Sequence, residues 1–274
     1  MTTEEIVALA LKEDLGDGDH TSLATISAES RGKARLIIKD NGILCGLPVA
    51  ETVFRQVDPD LLPEYFCKDG DRVEKGMIAM TVEGRIRSIL AAERTVLNFM
   101  QRLSGIATYT NRLMQEVRGT KARLLDTRKT TPGLRMLEKY AVRAGGGTNH
   151  RIGLSDGVLI KDNHIVAAGG ILPAVAAMRR HIPHTLKIEV ETADFAQIDQ
   201  ALQAGADIIM LDNMGINDMK KAVEMIGGKA LTEASGNMGD KDLRAVAETG
   251  VDIISIGAMT HTVRAMDISL RFNK

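Results

Sequence analysis

The chain has 274 residues and a formal charge of −1, with 44% apolar and 26% charged residues. Such a chain is long enough for one large or two modest domains, and its balance creates no global field for nucleic acid or anionic lipid. Trp is absent, with five Phe and three Tyr, which disfavours a single-strand binder that stacks bases on aromatic side chains.

The N-terminal stretch "MTTEEIVALALKEDLGDGDHTS" reads as an amphipathic helix with acidic residues in its first turns. It has neither a basic leader nor a signal-length apolar core. No run of about 18 apolar residues follows anywhere, so no membrane span is expected, and the cytoplasm is the expected compartment. Cys45 and Cys67 lie at no metal-ligand spacing and read as buried or half-buried free thiols.

Next comes a strand-and-turn region, "GKARLIIKDNGILCGLPV" and "DGDRVEKGMIAMTVEGRIRSIL", with the turn pattern of a sandwich. "DGDRVEKG" is faintly similar to a lipoyl-type carrier hairpin, but the context does not suit a modifiable lysine. "ERTVLNFMQRLSGIATYTNRLMQEVRG" reads as one long helix with an apolar stripe at Val96, Leu97, Met100, Leu103 and Ile106, bridging two domains.

From about residue 121 the pattern alternates. Strand-like "ARLLDT", "GVLIKDN", "TLKIEVE", "ADIIMLDN", "KALTEASG" and "VDIISIG" are separated by helical "PGLRMLEKYAVRAG", "ILPAVAAMRRHI", "ADFAQIDQALQAG", "INDMKKAVEMIGG" and "DKDLRAVAETG". Short, nearly all-apolar strands with helical crossovers predict a parallel sheet covered by helices. No GxGxxG follows any strand, which argues against a dinucleotide fold. The expectation is an α/β (β/α) barrel, open or incomplete with only six units, behind an N-terminal α+β sandwich.

Barrel chemistry sits at strand C-termini. Those ends carry, in order, Asp126, Thr127, Arg128 and Lys129; Lys161, Asp162, Asn163 and His164; Glu189 and Glu191; Asp212 and Asn213; Glu233, Ser235, Gly236 and Asn237; and Ser255, Ile256 and Gly257. Residues 121–164 hold nine Lys or Arg against four Asp or Glu. That excess in a near-neutral chain suits a small polyanion, since Arg pairs bidentately with carboxylate or phosphate and Lys is a compact charge. Glu191 and Asp212 suit Mg²⁺ held with substrate phosphates, or ribose hydroxyls. The small residues after the last two strands let backbone N–H groups approach phosphate.

Blander readings stand beside these. Arg135, Lys139 and Arg143 read as the solvated face of a helix, and "AGGGTNHR" as a helix cap followed by a turn. His150 and His164 lack a third ligand at metal spacing. His181 and His184 suit a helix end. Only one of Glu189 and Glu191 is expected to look into the site.

"LLDTRKTTPGLRMLEKYAVRAGGGTNHRIGLSDGVLIKDNHI", with "NFMQRLSGIATYT" before it and "LLDNM", "EASGN" and "SIGAMTH" after it, resembles the quinolinate phosphoribosyltransferases (decarboxylating). The resemblance runs from "LKEDLGDGDHTS" to "MDISLRF". It implies an N-terminal sandwich domain over 1–110, joined by the tail 262–274, and an open barrel over 111–261. It also implies a homodimer with shared active sites, and transfer of phosphoribose from 5-phosphoribosyl 1-pyrophosphate (PRPP) to quinolinate with Mg²⁺. The products would be nicotinate mononucleotide, pyrophosphate and CO2. By the same resemblance Arg102, Arg128 and Arg151 match quinolinate-binding positions, with Thr127, Lys129, His150 and Lys161 close by. Arg102 is the one lent by a second subunit. Glu191 and Asp212 match positions serving ribose and Mg²⁺, and with Lys129 form the catalytic set. Ser235, Gly236 and Asn237, and Ile256, Gly257 and Ala258, match phosphate loops. A homologous protein linked to molybdenum uptake and a non-catalytic polyanion-binding module are the alternatives. The acidic PRPP loop of commoner phosphoribosyltransferases is absent.

Overall fold

The computed structural model describes residues 1–272. The chain divides into two compact units, one made of Met1–Asn111, Thr131–Gly146 and the segment from Val263, the other of Arg112–Thr130 and Gly147–Thr262.

The first unit is built on a four-stranded antiparallel sheet, ordered Ile268–Phe272, Arg31–Ile38, Ile78–Arg85, Leu62–Tyr65. Alternation puts Ala34, Leu36 and Ile38 on the buried face. There Leu36 stands opposite Leu270 on one side and Met80 on the other. The C-terminal segment therefore supplies an edge strand to a sheet begun more than 200 residues earlier, and Gln101 Nε2 donates to Ile268 O at 2.8 Å. Helix Thr3–Leu15 opens with a capping box in which Thr2 Oγ1 accepts from Glu5 N and Glu5 Oε2 accepts from Thr2 N. It packs on helix Leu47–Val57. The helix expected from the apolar stripe runs over Ile86–Glu116, 31 residues, with Val96, Leu97, Met100, Leu103 and Ile106 all buried.

Helix Arg135–Ala144 belongs to the first unit too, although it follows the first parallel strand in sequence. Tyr140 donates to Asp69 Oδ2 at 2.7 Å, and a Cβ on Gly145 would strike Ala107 O. This corrects the solvated-face reading in part. Arg143 is exposed, but Lys139 is 1% exposed.

The second unit holds the six expected parallel strands: Arg123–Leu125, Val158–Ile160, Ile188–Thr192, Ile208–Asp212, Leu231–Ser235 and Ile253–Ser255, called first to sixth below. In space they run first, sixth, fifth, fourth, third, second. Among the described residues no ladder joins the first to the second, so the barrel is open. One face of the central strands, with Ile188, Val190, Ile209, Leu211, Ala234 and Ile254, is wholly buried. The other face carries the chemistry. Pairing in register puts Glu191, Met210 and Glu233 in one row and Asp212 beside Ser235 in the next.

Candidate active site

The two ends of the barrel differ in how their charges are used. Where the strands begin, Lys121 pairs with Asp252 at 2.7 Å and Arg179 with Asp207 at 2.7 Å, while Asp207 and Asp252 also accept the backbone N–H of Ile188 and Thr232. These acids stitch strand starts together. At the other end, Glu191, Asp212 and Ser235 stand at the ends of their strands, and Arg128, Lys129 and Lys161 follow theirs.

After the first strand, Asp126 is fully buried and serves as an anchor, accepting from Asn149 Nδ2 at 2.6 Å and His150 N at 2.9 Å. Thr127 Oγ1 takes Lys129 N at 3.0 Å, and Thr260 Oγ1 donates to Lys129 O at 2.8 Å. The turn is thus fixed from both sides while the side chains of Arg128 and Lys129 are exposed. Arg151 lies close enough to Arg128 that burial first, and then this like charge, lower its pKa, with Glu189 and Asp156 opposing the shift. Its Nη1 donates to Gly157 O at 3.0 Å. Lys161 and His164 are exposed, and Lys161 N donates to His164 Nδ1 at 3.1 Å.

On the third and fourth strands, burial raises the pKa of Glu191, and the charge of Asp212 raises it further, while Lys161 pulls it down. Asp212 also accepts from Asn213 Nδ2 at 2.7 Å. Glu189 and Glu191 both face inward, which corrects the expectation that only one does: residues two apart on a strand share a face. The fifth strand ends in a tight crossing. Asn213 and Asn237 both have positive φ, and Gly236, at φ 95°, has Asn213 packed where a Cβ would sit, so both its backbone and its surroundings require glycine. After the sixth strand Ile256 N donates to Leu125 O at 2.8 Å with its side chain buried. A Cβ on Gly257 would come within 2.9 Å of Lys129 Cδ, and Ala258 begins the short helix Ala258–His261.

The second unit therefore gathers Thr127, Arg128, Lys129, His150, Arg151, Lys161, Glu191, Asp212 and the 235–237 and 256–258 loops at one set of strand ends. Arg102 belongs to the first unit. Nε and Nη2 of Arg102 both donate to Glu138 Oε1, at 3.0 and 2.6 Å, and Nη2 also donates to Thr131 Oγ1 at 2.6 Å. Among the described residues the metal-spaced cluster is His150 with Glu189 and Glu233, and His164 takes no part in it. Glu138 was not singled out in the sequence, and Glu189 and Glu233 stood among the strand-end residues without an assigned role. The signal for the last two was their inward register beside Glu191 and Asp212.

An open parallel barrel with cations and acids converging at its strand ends defines an α/β-barrel enzyme of the kind that works on small anionic substrates. Comparison with known proteins refines this. Residues 19–104 match the family described as quinolinate phosphoribosyl transferase, N-terminal domain, and residues 106–271 its C-terminal domain. A rice protein named nicotinate-nucleotide pyrophosphorylase [carboxylating], chloroplastic, is 45% identical over 98% of this chain and 77% of its own length. A Synechocystis protein named probable nicotinate-nucleotide pyrophosphorylase [carboxylating] is 43% identical over 95% of this chain and 89% of its own. The solved nicotinate-nucleotide pyrophosphorylase of Francisella tularensis superposes with a TM-score of 0.95 at 42% identity, covering 99% of this chain and 96% of that one. The chain belongs to the quinolinate phosphoribosyltransferase family.

Proposed function

We propose that this enzyme transfers phosphoribose from PRPP to quinolinate and decarboxylates the product, giving nicotinate mononucleotide, pyrophosphate and CO2 for NAD biosynthesis. By its relatives' naming it is a nicotinate-nucleotide diphosphorylase (carboxylating), a pentosyltransferase. The observation that carries the reading is the juxtaposition at one barrel mouth of Arg151, whose pKa burial and then the charge of Arg128 lower, and Glu191, whose pKa burial and then the charge of Asp212 raise. Such arrangements are costly in isolation, and bound ligands of opposite charge relieve them. A dicarboxylate offset by Arg128 and Arg151, beside a pyrophosphate and its cation at Glu191 and Asp212, fits both.

Glu191 and Asp212 supply hard carboxylate oxygens and carry mutual repulsion, so they fit Mg²⁺. The ion would neutralise charge on the departing pyrophosphate. The chain's own groups do the rest. Arg128, Arg151 and Lys161, with Arg102 lent by a second subunit, hold the two carboxylates so that the pyridine nitrogen faces the anomeric carbon of the ribose. Lys129 places a compact charge beside the reacting anions. Thr127 and the 235–237 and 257–258 backbones approach phosphate, the Ile256 N–H being taken by Leu125 O. The C–O bond to pyrophosphate breaks as the nitrogen bonds to the ribose. The ring nitrogen, now cationic, stabilises the electron pair left on the adjacent carbon when its carboxylate departs as CO2, and that carbon then takes a proton. No covalent nucleophile is needed. Free Cys45 and Cys67 support a reducing compartment, which we take to be the cytoplasm. No helix is long and apolar enough to cross a membrane among the described residues.

Pyrophosphate release from PRPP tests the reading. Release should require quinolinate and match CO2 evolution one for one. Nicotinate should be a poor substrate, because a site built for two carboxylates leaves charges unpaired with one. Equal kcat/KM for the two acids, or release with neither, overturns it.

A further inference from the structure

Three side chains inside the barrel form a cluster that the proposed chemistry leaves largely unexplained. Glu189 and Glu233 are 3% and 1% exposed on the inner faces of the third and fifth strands. His150 Nε2 lies 3.2 Å from Glu189 Oε2 and 3.7 Å from Glu233 Oε1. Glu189 Oε1 and Glu233 Oε1 are buried with no hydrogen-bond partner. A buried carboxylate oxygen without a donor is costly, so the cluster calls for either a metal ion or a shared proton.

The ligand atoms lie within 4.8 Å of one another, close enough for a metal. The other ring nitrogen decides against it. Arg151 N donates to His150 Nδ1 at 2.8 Å. A backbone amide only donates, so Nδ1 accepts, and the proton of the neutral ring sits on Nε2. A histidine that binds metal through Nε2 carries its proton on Nδ1 and donates from there. Here that proton would point at the Arg151 N–H. Nε2–H instead donates to Glu189 Oε2, and a proton shared between the two acids joins Glu233 to Glu189.

We propose that Glu189 and Glu233 are positioning residues for quinolinate binding: Glu189 accepts the Nε2–H of His150, Glu233 holds Glu189 against the ring, and together they fix the backbone from which Arg151 reaches the substrate. This rests on the reading of Arg151 as a quinolinate ligand. The chain of contacts is continuous. The carboxyl pair fixes the ring, the ring's Nδ1 fixes Arg151 N, and Asp126 fixes His150 N and Asn149 from the other side. Burial, and next the charge of Glu189, push the pKa of Glu233 up, while His150 and Ser255 pull it down, in keeping with a proton held there. Without Glu233, the Glu189 carboxyl loses the partner that keeps it against the ring, and His150 is no longer held with Nδ1 facing the Arg151 N–H.

The experiment varies quinolinate and PRPP separately for wild type, Glu233→Leu, Glu233→Gln and Arg151→Ala, with thermal melting as the check on folding. Glu233→Leu should raise the quinolinate KM about 10- to 100-fold, the scale of a small misplacement of a binding group, with the PRPP KM within about threefold. Glu233→Gln, whose amide N–H replaces the donor of the protonated acid, should bring the quinolinate KM back to within about threefold of wild type. If Arg151→Ala raises the quinolinate KM and Glu233→Leu does not, the positioning role is wrong while the functional reading stands. If Arg151→Ala leaves it unchanged, that reading of Arg151 fails and takes the proposal with it. Long-range ¹H–¹⁵N spectra of wild type decide the matter even if the leucine variant does not fold. They should show His150 neutral with its proton on Nε2. A doubly protonated ring, a proton on Nδ1, or one equivalent of bound transition metal overturns the proposal.

Discussion

Glu138 is fully buried, and its two oxygens divide their work: Oε1 takes Arg102 Nε and Nη2, and Oε2 takes the N–H of Thr131 at 3.1 Å. Arg102 keeps 32% of its side-chain surface exposed, so the pair joins a buried acid to a half-buried base. Removing the base leaves the acid's charge in place with only a backbone donor. Arg102→Ala should therefore lower stability as well as activity, by about 1.5–3 kcal/mol, the worth of hydrogen bonds to a charged group. Glu138→Ala should cost a similar amount, since it strands the Thr131 N–H. The double variant should cost less than the two single costs together, by about 1 kcal/mol or more, because the partners share one interaction. Urea unfolding of the four proteins measures this. Additive costs would mean that Glu138 does not hold Arg102, and that the guanidinium is positioned by something else.

Two elements of the first unit's sheet show how an ion pair can link strand and turn. Arg85, the last residue of strand Ile78–Arg85, donates from Nε and Nη2 to the two oxygens of Asp58, at 2.8 and 2.6 Å. Asp58 is 2% exposed, and these bonds hold its carboxyl well below the usual carboxylate range. A depressed folded-state pKa stabilises the fold above the unfolded-state value, near 3.9, and the contribution is lost as pH falls through the folded value. Melting temperature should thus decline below about pH 4, and Asp58→Asn should flatten that decline while lowering stability at neutral pH. An unchanged acid slope in the variant would assign the decline to other carboxylates. Elements were legible in the sequence to the extent that their partners were local. The six parallel strands showed because strands covered on both faces are apolar runs, and the long helix showed through its stripe. Helix Arg135–Ala144 was legible as a helix, but not as part of the first unit. Periodicity tells which face is buried and not what buries it, and so Lys139 read as solvated. Charges crowding the strand ends, at Arg128, Lys129, Glu191 and Asp212, marked the candidate site in the sequence. Glu233 stood at a strand end without a role, because an acid inside an apolar strand shows its role only once the fold brings it and Glu189 to His150.

At the scale of the whole molecule, the question is which chain completes each site. Arg102 is fixed within the first unit by Glu138 and Thr131, whereas Arg128 and Lys129 stand at the barrel mouth of the second. We infer a two-fold dimer in which each subunit lends Arg102 to the partner's barrel, as the family resemblance implies; in a closed symmetric assembly such loans are reciprocal. The consequence is an all-or-none complementation. Arg102→Ala and Lys129→Ala should each be nearly inactive as homodimers, since every site lacks one group. When equal amounts are unfolded and refolded together, roughly half the dimers pair one variant with the other by random assortment. Each such hybrid contains one site with both defects and one with neither. Activity should then recover to roughly a quarter of wild type, and should fall as the mixing ratio departs from equal, following the hybrid fraction. A charge-tagged subunit, separated by ion exchange, counts the hybrids directly. If hybrids form and the mixture stays as inactive as its parents, Arg102 serves the barrel of its own chain, and each site is complete within one subunit.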